Sequence, residues 1–116
     1  MARRDTEDRS LQKLARAKCW DCALAKQVPV PGYGKRNRPD IAFVGEAPGE
    51  QEEQQGRPFV GKAGQFLRRV IRDLGIDEQR CYFTNICSCP PADNRKPTAK
   101  MASSCADRLA LELMTI

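Results

Sequence analysis

Apolar positions along the chain fall into short blocks separated by loops rich in proline, glycine and charge. Leu11 and Leu14 lie three apart with Ala15 and Ala17 beside them, the narrow stripe of a short helix over residues 5–18. Ile41-Ala42-Phe43-Val44 is a continuous apolar run and predicts a buried parallel strand. Phe66, Leu67, Val70, Ile71 and Leu74 share one face of a predicted helix from about Ala63 to Leu74, expected to be core. Arg68, Arg69, Arg72 and Asp73 fall on its other face and read as solvated, and Gly75 is a suitable stop. Cys81 to Ile86 reads as a second strand. Thr98 is placed to cap a last helix carrying Met101, Cys105 and Leu109 at intervals of four, which runs out in Leu113-Met114-Thr115-Ile116. Strand, helix, strand in that order predicts an α/β fold with two parallel strands joined by a right-handed crossover. Residues 27–40, QVPVPGYGKRNRPD, and 89–97, CPPADNRKP, read as irregular loops.

Composition narrows the class. With 116 residues, 41% hydrophobic and 30% charged, one soluble domain with a modest core is expected. No apolar run is long enough to cross a bilayer. No apolar segment follows the N-terminal arginines, so no secretory signal is expected and a cytoplasmic location is. In that compartment six cysteines argue for metal or redox chemistry over disulfides. The net charge of +5 suits a polyanionic partner without requiring one. Its densest patch, Lys35, Arg36 and Arg38, reads equally as a phosphate contact or a solvated loop.

The candidate chemistry sits in two places. Residues 44–64, VGEAPGEQEEQQGRPFVGKAG, form a strand-to-helix loop at the carboxyl end of the first strand, where open α/β sheets place their ligands. Four of its glycines, Gly45, Gly49, Gly56 and Gly61, let backbone approach a base or phosphate, and Glu46, Glu50, Glu52 and Glu53 sit among them. The crossover brings Asn85, near the end of the second strand, to the same sheet edge as Glu46. Cys19-Trp20-Asp21-Cys22 is a turn that lets two thiolates reach one metal centre; a pair of uncommitted cysteines is the plainer reading. Trp20 is expected to pack over such a site, and Cys81 to be a small core residue.

The GEAPG segment, the paired glutamates and GRPFVGKAG resemble the first motif of the iron–sulfur uracil-DNA glycosylases, often called family four. Thr84-Asn85, with Cys89 four residues after the asparagine, resembles that family's second element, and Cys19, Cys22, Cys89 and Cys105 its cysteine spacing. The resemblance implies a three-layer α/β/α fold with a short parallel sheet and excision of uracil from DNA, in base excision repair, by hydrolysis of the N-glycosidic bond. Uracil-containing DNA would be the partner, the protein a monomer, and a [4Fe–4S] cluster on the four cysteines a structural cofactor. Cys87 also offers a sulfur, but the family spacing selects Cys89; Ser88 stands where relatives commonly carry a basic residue. Phe59 would stack on the flipped base. Asn85 would accept from uracil N3–H and donate to O4, a pattern cytosine reverses. Glu46 would lie near the nucleophilic water and sugar as the catalytic carboxylate with Asn85, and Glu52 beside the C5 edge, excluding the thymine methyl. Backbone at Gly45 and Ala47 would complete the uracil site. Each has a plainer reading: Phe59 as core, Asn85 as a strand end, the glutamates as solvated charge.

One departure stands out. The family's later motif begins His-Pro-Ser, and this chain contains no histidine. Loss of a leaving-group donor would cost about 3 to 4 kcal/mol in the transition state, by analogy with an oxyanion hole. The resemblance therefore covers the first part of a longer fold, with the C-terminal strands missing, and residues 1–116 are expected to be one incomplete domain, a fragment or a shortened form. The second strand is expected to lack its neighbour. The competing readings are a non-catalytic iron–sulfur module that binds nucleic acid and a structural zinc domain held by four cysteines.

Overall fold

The computed structural model describes residues 28–91 and 96–116. The helix expected over residues 5–18, Cys19, Trp20 and Cys22 lie outside them.

Among the described residues seven elements follow in order: strand β1 (Tyr33–Gly34), strand β2 (Ile41–Gly45), helix α1 (Glu50–Gln55), helix α2 (Lys62–Asp73), a 3-10 turn (Glu78–Arg80), strand β3 (Cys81–Asn85) and helix α3 (Ala99–Thr115). The sheet order is β1-β3-β2, with β2 parallel to β3 as expected and β1 antiparallel to it. The sheet is therefore mixed. Tyr33 and Gly34 fall in the stretch read as irregular, yet they pair with Phe83 and Tyr82. The pairing tolerates the surrounding prolines because it lasts only two residues at an edge.

β3 is the central strand, and all five of its residues are buried. It has neighbours on both sides, which corrects the expectation that it would lack one. β1 and β2 are the edges, and β2 has no second partner among the described residues. Ile41 and Val44 are accordingly 36% and 43% exposed, where the apolar run predicted a buried strand. An apolar run cannot distinguish a central strand from an edge awaiting cover.

Two helices sandwich the sheet, as the three-layer expectation requires. On one face Ile71 joins Cys81 and Phe83, with Phe43, Phe59, Leu67 and Ile76 packed around them. Phe43 and Phe83 stack with centroids 5.4 Å apart. Phe66 and Leu74 were expected in this core but are 69% and 71% exposed, because the sheet is too narrow to cover the whole stripe of α2. On the other face α3 buries Cys105, Arg108 and Glu112. Thr98 caps α3 as predicted, its hydroxyl accepting from the Met101 N–H at 3.2 Å. Among the described residues no helix is long and apolar enough to cross a membrane.

Candidate active site

The parallel register makes Gly45 and Asn85 partners at the carboxyl ends of β2 and β3. Pairing continues one step further: the Ile86 N–H donates to the Gly45 carbonyl at 2.8 Å and the Cys87 N–H to the Glu46 carbonyl at 2.9 Å. A cavity of about 470 Å³ opens at this edge, and Gly45, Glu46, Ala47, Glu52, Phe59 and Asn85 all line it. The structure thus brings every expected base-binding residue to one place. Gly45 is at the centre. A Cβ there would strike the Asn85 side-chain oxygen and would lie 2.9 Å from the tip of the Phe59 ring. Any side chain would push amide and ring apart.

Phe59 adopts φ 58°, the left-handed region that a bulky residue enters only under constraint. Two devices hold it. Gly64 on α2 is buried against the Phe59 backbone, in space a Cβ would occupy. Arg68 donates to the Phe59 carbonyl at 3.0 Å and the Pro58 carbonyl at 3.3 Å, while pairing with Glu78. Its guanidinium also lies 4.3 Å from the centroid of the Phe83 ring. Arg68 was expected to be a solvated charge; it braces the Phe59 backbone. Nothing in the sequence pattern separates it from Arg69 or Arg72.

Glu52 holds the rest of the loop. Its carboxylate accepts from the Gly49 N–H at 2.9 Å, the Val60 N–H at 2.8 Å and the Gly61 N–H. It ties the N-terminal end of α1, the short helix within the loop that periodicity did not reveal, to the turn that opens α2. Six residues without an apolar face carry no period to read. Glu52 therefore lines the cavity and shapes it at once.

Asn85 is 6% exposed and is supported from behind. Arg108 of α3 donates to the Asn85 carbonyl at 2.8 Å and the Ile86 carbonyl at 2.7 Å. Glu112 takes the other guanidinium nitrogen at 2.5 Å and accepts from the hydroxyls of Thr84, at 2.9 Å, and Tyr82. Burial, then the Glu112 bond, pushes the Tyr82 phenol well above its ordinary range. The sequence reading missed this network, although the i,i+4 spacing of Arg108 and Glu112 was an available signal.

The cysteine sites are partly in view. Cys89 and Cys105 are buried, and so is Cys87. A hydrogen bond with the Cys87 thiol, helped by the Ser88 backbone and Arg108, brings the Cys105 thiol down to about 5 against the effect of burial. That environment favours the thiolate a metal requires. Among the described residues no three histidine, cysteine or acidic side chains come together as a metal site. Cys81 is a fully buried core residue as expected, its thiol pushed up by burial.

Comparison with known proteins identifies the family. The chain is 40% identical over 100 residues to the Type-4 uracil-DNA glycosylase of Archaeoglobus fulgidus, covering 84% of this chain and 50% of that protein. It is 42% identical over 100 residues to the Type-4 enzyme of Thermotoga maritima, covering 85% and 52%. For that of Saccharolobus solfataricus the identity is 39% over 102 residues, covering 85% and 47%. The chain spans about half the length of the curated relatives it matches. The profile of the Uracil DNA glycosylase superfamily matches residues 31–116, and the chain belongs to that superfamily.

Proposed function

We propose that this chain carries the base-recognition site of a uracil-DNA glycosylase, a hydrolase that excises uracil from DNA in base excision repair. One observation carries the reading: Phe59, Asn85 and Glu46 converge around Gly45 in a single cavity. A base turned out of the helix enters that cavity and stacks on Phe59. Asn85 accepts from N3–H and donates to O4, so cytosine meets donor against donor and acceptor against acceptor. Glu46, exposed at the mouth, orients water toward the anomeric carbon and favours the positive charge that develops there. Glu52 stands toward the C5 edge, held by its three backbone donors, where a thymine methyl would collide. The departing uracil carries negative charge. Lys62, which lines the same cavity in the first turn of α2, supplies positive potential to it.

A [4Fe–4S] cluster belongs to the same reading, on Cys19, Cys22, Cys89 and Cys105. The residues in view fit it: Cys89 and Cys105 are buried and Cys105 is held toward its thiolate. When bound, the cluster cross-links the loop after β3 to α3, and none of the chemistry above needs an electron from it. A monomeric protein in the cytoplasm, acting on uracil-containing DNA, completes the proposal.

The test is uracil release from a uracil-containing oligonucleotide by the chain purified without oxygen. Release that falls by at least about a hundredfold in Asn85→Ala supports the reading. No release from folded, iron-loaded protein would leave a binding module in place of an enzyme.

A further inference from the structure

A second cavity lies on the other side of Phe59, toward β1 and away from the open edge of β2. It encloses about 1060 Å³, more than twice the base pocket, and its lining is of opposite character. The base pocket is lined by Glu46, Glu50 and Glu52 against the cation Lys62. The second cavity is lined by Lys35, Arg36, Arg57 and Arg68 against the carboxylate Glu78. Glu78 is already matched by Arg68 and Arg72, so the cavity keeps a positive surplus. Its outer wall is an aromatic–guanidinium stack, with the Arg57 guanidinium 4.7 Å from the centroid of the Tyr33 ring. Tyr33 is 44% exposed, so this stack presents itself to solvent. Arg57 stands two residues before Phe59, within about 7 Å of it along the chain.

We propose that this basic cavity is the track for the DNA strand flanking the extruded base. The inference rests on the reading of the Phe59 pocket as the uracil site. The acidic pocket repels phosphate and takes an uncharged base; the basic cavity beside it takes the phosphates that base must bring along. Lys35 and Arg57 neutralise backbone phosphate, and the Tyr33–Arg57 stack receives the neighbouring base, as aromatic and arginine planes do in single-strand channels. The strand crosses from one cavity to the other over the Phe59 loop, which Arg68 and Glu52 hold in place. Lys35 and Arg36 come from the segment whose charge was equally readable as solvated. What distinguishes the two is Arg57, brought from the loop after α1 onto Tyr33.

The test is equilibrium binding, by fluorescence anisotropy, of two labelled single-stranded oligonucleotides, one with a single uracil and one with thymine in its place. The proteins are the wild-type chain, Tyr33→Leu, the double variant Lys35→Ala/Arg57→Ala, and Arg69→Ala as a control that removes an exposed charge from another part of α2. The track predicts that Tyr33→Leu weakens both oligonucleotides at least about fivefold. The double variant should reduce the slope of log K against log salt by about 0.7 for each phosphate no longer neutralised, and Arg69→Ala should stay within about twofold of wild type. Wild-type protein that binds neither oligonucleotide, groove variants that bind like wild type, or a control as weak as they are would each overturn the track. Groove-dependent binding without uracil release would support the track and sink the excision reading instead.

Discussion

Glu52 illustrates how much one side chain does in this site. A carboxylate that accepts three backbone N–H bonds within one loop fixes the start of α1 against the turn that opens α2. Charge-assisted bonds of this kind are worth roughly 1.5–3 kcal/mol each in favourable settings. Glu52→Ala should therefore leave the sheet folded and loosen the loop: hydrogen exchange at the Val60 and Gly61 amides should accelerate at least about tenfold while β3 amides stay protected. Unchanged exchange at those two amides would mean that the loop is held by something else. Glu52 was legible in the sequence as a candidate, because it falls within a recognisable motif. Its wiring was not, since accepting from residues eight and nine positions ahead requires a chain reversal that no local pattern announces. Phe59 is similar. The family resemblance singled it out as a candidate platform, while the positive φ and the Arg68 strut depend on the approach of α2.

At the scale of elements, the β3–α3 contact is polar where a hydrophobic layer would be ordinary. Arg108 and Glu112 are both nearly fully buried, and they are bonded to Thr84, Tyr82 and the carbonyls that follow β3. Removing one member of such a pair costs about 3–5 kcal/mol because the other charge stays buried alone, whereas replacing both with apolar residues is often neutral or better. Arg108→Met and Glu112→Leu should each shift urea unfolding by that order, and the double variant should recover most of the loss. Two additive losses would show that the residues do not act as a pair. Tyr82 adds a pH signature. Its folded pKa is raised above the unfolded value, so the stability it contributes is complete below about pH 10, the ordinary tyrosine pKa, and is lost as pH rises beyond it. Wild type should lose stability more steeply above pH 10 than Tyr82→Phe, and parallel curves would contradict this. The helix and both parallel strands were readable from periodicity because each has an apolar face. The burial of α3 was not, because its inward face carries an ion pair and a cysteine in place of leucines.

Across the whole molecule, the crossover topology accounts for the site. Parallel strands place Gly45 and Asn85 side by side, and the loop between them supplies Phe59 and the carboxylates. That much follows from strand order and could be read in advance. The antiparallel β1 could not, since two residues among prolines carry no strand signal, and neither could the open edge of β2. The proposed cluster acts at this scale too, because Cys89 and Cys105 lie on segments that flank the network behind Asn85. Removing iron with a chelator under reducing conditions should lower the melting temperature by several degrees, and by as much as Cys105→Ser does in iron-loaded preparations. A melting temperature indifferent to iron would separate the cysteines from the stability of the fold.

The central claim is that Asn85 reads uracil in the pocket behind Phe59. The most direct test is titration of free uracil, then cytosine, into nitrogen-15-labelled protein, following the Asn85 side-chain amide and the Gly45 backbone amide by NMR. The account predicts that uracil shifts both signals saturably and that cytosine leaves them in place. Shifts of equal size with cytosine, or none with uracil, would contradict it.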